Sequence, residues 1–149
     1  FRVIDHGGYH YAMSMPGYLY RSRDGFSNFE EGPRFFTNDM RHSALLIRDG
    51  LLYVFYSRRG DAPERILLST IDIAGDWLNW QASEPIEILR PETDWEGANL
   101  PIEGSLGGHI DARVNQLRDP TIYEEDGETY LLYSVAGESG IAIARVKFE

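Results

Sequence analysis

The chain has 149 residues, 42% of them hydrophobic and 26% charged, which is enough apolar material for one folded core and too much for a disordered tail. Its formal net charge is −10, and Lys147 is the single lysine, so there is no basic cluster to hold a nucleic-acid backbone. It has no cysteine, which removes disulfides and thiolate metal sites, and no apolar run approaches the length of a membrane span.

Apolar residues alternate or come in short runs ending at Gly, Asp or Pro, the pattern of strands. In chain order the strands are expected near 9–14, 17–22, 33–36, 43–48, 51–57, 65–72, 85–89, 120–125, 128–135 and 140–147. Two stretches match without a gap: "RHSALLIRDGLLYVFYS" at 41–57 and "RDPTIYEEDGETYLLYS" at 118–134. Each has Asp-Gly at its middle, the signal of a tight hairpin whose two central residues take positive φ. A third strand follows each copy, "RILLSTID" at 65–72 and "GIAIARVKF" at 140–148. The first copy continues into "DWLNWQASEPIEIL" at 76–89, making four short antiparallel strands closed by aromatic residues. A rougher copy opens the chain, with "GYHYAMS", "GYLYRSRDG" and "FSNFEEGPRFF" standing for strands two to four. Four-stranded antiparallel units in series are the grammar of a β-propeller. The expected fold is therefore all-β: one domain over 1–149, about ten strands in propeller-type blades, and an incomplete ring. The units span about 1–40, 41–90 and 118–149, with a long loop at 91–117. The first unit is expected to lack its inner strand and the last its outer one.

The blade pattern "RDPTIYEEDGETYLLYS" followed by "GIAIA", and the blade ending "YRSRDGFSNFE", resemble the five-bladed β-propeller glycoside hydrolases and their relatives. These include arabinanase- and xylosidase-like, invertase-like and mannoside-phosphorylase-like groups. The resemblance covers about two and a half blades, while a five-bladed ring needs roughly twice this length. It implies a sugar or oligosaccharide as ligand, and an Asp at the start of an inner strand pointing into an axial funnel. Here that residue is Asp119, the candidate catalytic carboxylate. Its plainer reading is a strand-start Asp bonded to nearby backbone. The other copy has His42 at the same place, while Arg41 and Arg118 are kept in both. The two arginines either grip an anionic group of a ligand or pair with carboxylates of a neighbouring blade. Glu138 borders the hairpin after the second strand of the last unit, where Asp61 stands in the other copy. His109, in "LGGHIDAR", and Trp95, in "TDWEG", lie in the long loop, which either lines a pocket or is an unstructured insertion. Trp95 is the candidate to stack on a sugar ring. Glu31, in "EEGPRFF", resembles the general-acid motif of arabinanase-like families, but the repeat places it at an outer strand. "SRDGFSNF" resembles the Asp-box turn of sialidase-like propellers, which implies that Asp24 caps the turn and Phe29 packs between blades. Trp77 and Trp80 are assigned to the core.

Glycoside hydrolysis needs two carboxylates flanking the bond. The sequence offers Asp119 and no clear partner, so enzyme activity of this chain is left open. One reading is a fragment or truncated relative of a hydrolase-like propeller that binds or cleaves a sugar. The other is a non-catalytic carbohydrate-binding or self-associating unit, dimerising through exposed blade edges. No cofactor, metal, nucleic acid or membrane is called for. The lack of a visible signal peptide favours a cytoplasmic setting.

Overall fold

A computed structural model describes residues 1–148. Its eleven strands are β1 (Arg2–His6), β2 (Tyr9–Ser14), β3 (Tyr18–Ser22), β4 (Glu30–Arg34), β5 (Met40–Arg48), β6 (Leu51–Arg58), β7 (Ile66–Asp72), β8 (Ile86–Leu89), β9 (Arg118–Glu125), β10 (Glu128–Val135) and β11 (Gly140–Val146). They form three antiparallel sheets, β1–β4, β5–β8 and β9–β11, each a meander in chain order. The only helical elements among the described residues are the 3₁₀ turns Trp77–Asn79 and Asp94–Glu96. Both Asp-Gly pairs turn as the sequence predicts, with positive φ at Asp49, Gly50, Asp126 and Gly127.

The first sheet is complete, which corrects the expectation that it lacks an inner strand. Arg2–His6 pairs with β2 from Arg2↔Met13 to His6↔Tyr9 across a two-residue turn at Gly7-Gly8, both at positive φ. Three of the five residues in "RVIDH" are polar or charged, so alternation alone did not mark the segment; pairing with β2 makes it a strand. The fourth strand of this sheet also starts earlier than expected, at Glu30, with Glu31 exposed on it.

The middle sheet is apolar on both faces, and the period of two along each strand divides its side chains between two cores. Leu52, Val54, Tyr56, Leu67 and Ile71 pack against Tyr11, Met13 and Leu19 of the first sheet. Ala44, Leu46, Phe55 and Ile66 pack against Leu117, Leu131, Tyr133 and Val135 of the third. The inner strands β1, β5 and β9 lie side by side, with β5 between the other two. Trp77 and Trp80 close the first interface: Trp80 stacks on Tyr11 with ring centroids 5.3 Å apart, and Trp77 meets the same ring edge-on at 5.9 Å. Asp24 caps its turn as expected, accepting from the Ser27 and Phe26 amides and the Ser22 and Ser27 hydroxyls. Those donors, Ser27 foremost, hold its carboxyl well below the usual carboxylate range. Phe29 does not pack between sheets; it is 43% exposed and lies with Phe1, Val3 and Tyr20 on the outer face of the first sheet.

Gly32 in β4 sits directly against the buried Trp77 ring, where an added Cβ would lie 2.2 Å from Cζ3. A ring held on both sides has no room to retreat. Gly32→Ala is expected to destabilise the fold by about 1–3 kcal/mol through overpacking, measured as a lower urea midpoint with unchanged slope.

Candidate functional site

Both inner strands begin earlier than the alternation suggested, and both begin on a bulge. The β5–β6 register slips between Met40 and Ser43, and the β9–β10 register slips between Leu132 and Ser134. A bulge turns side chains away from the alternating pattern. Here it carries Arg41 and His42 on one strand and Arg118 and Asp119 on the next to one end of the stack. Asp119 takes φ +50, a left-handed conformation that Asp tolerates better than most residues.

Beneath this end lies Glu64, fully buried in the segment between β6 and β7. One carboxylate oxygen accepts from Ser57 Oγ at 2.6 Å. The other is 3.3 Å from an Arg41 guanidinium nitrogen and 3.5 Å from Arg118 Nε. Arg118 is itself 1% exposed. Its Nε donates to Gln116 Oε1 at 2.9 Å, and a terminal nitrogen donates to Glu138 Oε1 at 2.9 Å. Both arginines also donate to the Gly108 carbonyl, at 3.2 Å from Arg118 and 3.3 Å from Arg41. The two repeated arginines are thus occupied by protein carboxylates and by the long loop.

The loop between β8 and β9 is ordered by specific contacts rather than left as an insertion. Ser105 accepts from the Gly60 amide through its carbonyl at 3.0 Å, and Asn115 donates to the Leu100 carbonyl at 3.0 Å. Glu96 is buried; it accepts from the Glu92 and Thr93 amides and from the Tyr133 hydroxyl at 3.1 Å. Burial and the Glu96 charge push the Tyr133 phenol up to about 12.

Over this base opens a cleft of about 450 Å³. Arg41, His42, His109, Asp119 and Glu138 all line it, together with Arg59. His42 Nε2 and Asp119 Oδ1 face each other at 3.7 Å, too far for a direct hydrogen bond. Asp119 Oδ1 is buried and accepts no hydrogen bond from any described group. His109 lies 3.0 Å from Asp111 and 3.8 Å from the second oxygen of Glu138. Arg118 lies below the lining and pairs with Glu138. Trp95 is not part of the cleft: it stands 54% exposed on the Asp94–Glu96 turn. Asp61, the repeat counterpart of Glu138, pairs with Arg58 and Arg65 outside the cleft. Glu64 was not singled out from the sequence. No local signal marks it, because its two arginine partners come from different sheets.

Removing the Glu64 charge leaves the buried Arg118 and the half-buried Arg41 short of their common partner. Glu64→Gln is expected to cost about 3–5 kcal/mol in urea unfolding, the range for breaking a buried ion pair on one side. Tyr133 makes an alkaline prediction. Its folded pKa is raised above the unfolded value of about 10, so its contribution is complete below that pH and is lost as pH rises through the folded value. Between about pH 10 and 12, Tyr133→Phe is therefore expected to lose less stability than the parent chain, read from thermal midpoints across that window.

No protein-family model matches the sequence. Over 97% of its length the chain is 44% identical to an uncharacterized protein of Acanthamoeba polyphaga mimivirus, and it covers 45% of that protein. The chain thus spans a little under half the length of this curated relative. Among solved structures it superposes on a thermostable family-43 glycoside hydrolase with a TM-score of 0.60 at 18% identity, covering 95% of this chain and 49% of that one. It superposes on the α-L-arabinanase of Cellvibrio cellulosa with a TM-score of 0.60 at 17% identity, covering 98% of this chain and 47% of the enzyme. The same arabinanase complexed with arabinohexaose gives a TM-score of 0.54 at 14% identity, covering 99% and 53%. The three sheets of this chain therefore share the fold of about half of each of these structures, an all-β, open arrangement of propeller-type blades.

Proposed function

We propose that the cleft binds a carbohydrate, with Asp119 and His42 at its centre. The observation that carries this reading is in the cleft wall, where the Asp119 side chain, 31% exposed and paired with no arginine among the described residues, faces His42 across 3.7 Å. A hydroxyl group that reaches the exposed part of this pair can donate to the carboxylate and accept from an imidazole N–H. The polyhydroxylated surface of a sugar offers such groups in series. The arabinanase that shares the fold is solved with arabinohexaose, which makes arabino-oligosaccharides the first ligands to try.

Binding is favoured over hydrolysis by this chain alone. Hydrolysis needs two carboxylates flanking the glycosidic bond. The other two carboxylates lining the cleft are committed to arginines, Glu138 to Arg118 at 2.9 Å and Asp39 to Arg59 at 3.6 Å. Asp119 is the carboxylate left to meet a ligand.

Calorimetric titration with arabino-oligosaccharides, alongside xylo-, fructo- and manno-oligosaccharides, tests the proposal. Asp119→Asn keeps the side-chain shape and tolerates the same left-handed backbone. It is expected to weaken binding by roughly 10- to 100-fold, the worth of one hydrogen bond to a charged group. Trp95→Ala is expected to leave affinity unchanged. Absence of binding across the whole panel, or equal affinity in Asp119→Asn, would overturn the assignment.

A further inference from the structure

A smaller cleft adjoins the one at Asp119. It holds about 240 Å³ between the first and second sheets, and Met40 lines both. The ridge between them is built from consecutive residues. Thr37 lines the small cleft while Asn38 and Asp39 line the large one, and Arg58 and Arg59 at the end of β6 divide in the same way. Arg59 holds the ridge: its amide donates to the Asp39 carbonyl at 2.8 Å and its guanidinium to the Asn38 carbonyl at 3.2 Å. From Thr37 to Met40 the backbone spans at most about 11 Å, so one short ligand can reach both clefts.

The small cleft has the mixed lining that suits a sugar. Phe35, Phe36 and Pro85 supply apolar surface, and Thr37, Ser83 and Glu84 supply exposed polar groups at the edge. Phe36 is fixed from two sides. Its ring centroid is 4.6 Å from that of the buried Tyr56, and a Cβ added to Gly17 would lie 2.5 Å from Phe36 Cδ2. A ring held in this way has little freedom left to lose when a ligand lies on it. A sugar ring is apolar on its C–H face and polar along its hydroxyl edge, and an aromatic pocket with a few polar groups at its margin meets both. The two sheets that form the walls each have four strands, so neither wall is an unpaired edge of a shorter sheet.

We propose that this small cleft is a second sugar subsite. The ligand is then an oligosaccharide that crosses the ridge at Thr37–Asp39, with one unit at Asp119 and a later unit against Phe36. The proposal rests on the reading of the Asp119 cleft as a carbohydrate site, and adds to it a minimum ligand length and a direction across the sheets. Continuity through Met40 and the shared ridge is what commits the small cleft to the same ligand.

The test takes the saccharide series that binds best in the panel above and compares its monosaccharide, disaccharide, trisaccharide and tetrasaccharide by amide chemical-shift titration of the intact chain. Affinity is expected to rise at least ~10-fold once the ligand is long enough to cross the ridge, the worth of one further apolar contact surface. Shifts at Thr37 and Ser83 are expected only with those longer ligands. Phe36→Leu keeps apolar packing against Tyr56 but removes the flat ring; it is expected to lower the trisaccharide and tetrasaccharide affinities to that of the monosaccharide and to leave the monosaccharide unchanged. Asp119→Asn is expected to weaken every length alike. The length comparison needs no variant to fold. Equal affinity at every length, unchanged long-ligand affinity in Phe36→Leu, or a loss in that variant as large for the monosaccharide would overturn the second subsite while the Asp119 site stands. No binding at any length would overturn both.

Discussion

One buried carboxylate organises the end of the molecule where the cleft opens. Glu64 has no access to solvent, and it holds the second and third sheets together through main chain and side chain at once. Its carbonyl accepts from the Leu117 amide at 2.9 Å, just ahead of β9, while its carboxylate lies between Arg41 of β5 and Arg118 of β9. A charge placed there without partners would be strongly unfavourable, and so would either arginine. The three groups are stable in the interior only as a set, supplemented by Ser57, Gln116 and Glu138. That mutual dependence fixes the spacing of the two inner strands where the cleft opens.

The set also positions the long loop. Both arginines donate to the Gly108 carbonyl, so the segment carrying His109 is tied to the same ionic centre that joins the sheets. A second tie lies farther along, where buried Glu96 joins the loop to Tyr133 of β10. A loop of this length is normally mobile or functional. Here its residues form part of the cleft wall, and its backbone is secured at Gly60, Leu100 and Ala136. The result is a polar cleft built on strand starts and one anchored loop. Its acidic and basic groups are mostly paired with each other, with Asp119 Oδ1 the exception.

The repeat has a physical explanation in this arrangement. The residues kept between the copies are those that make a hairpin and bury a guanidinium: Arg at the strand start, Asp-Gly at the turn, Tyr and Ser in the returning strand. One pair of residues that differs, His42 and Asp119, is brought face to face at the cleft. The two inner strands lie side by side, so equivalent positions at their starts come together at one end of the stack.

By itself the sequence determined the all-β class, the two Asp-Gly hairpins, the repeated blade unit and the core assignment of Trp77 and Trp80. These are local matters of alternation, turn chemistry and aromatic placement. It also singled out Arg41, His42, Asp119 and Glu138 from their places in the repeat, and His109 from its place in the long loop. The sequence did not disclose β1, whose short polar run becomes a strand only by pairing across Gly7-Gly8. Nor did it reveal the bulges that turn the two strand starts toward the cleft, since a register slip depends on the partner strand. Phe29 and Trp95 carry no local mark of the face on which they lie. Glu64 was decided by the tertiary structure alone: a glutamate before a strand looks like any solvated residue until two arginines from different sheets converge on it.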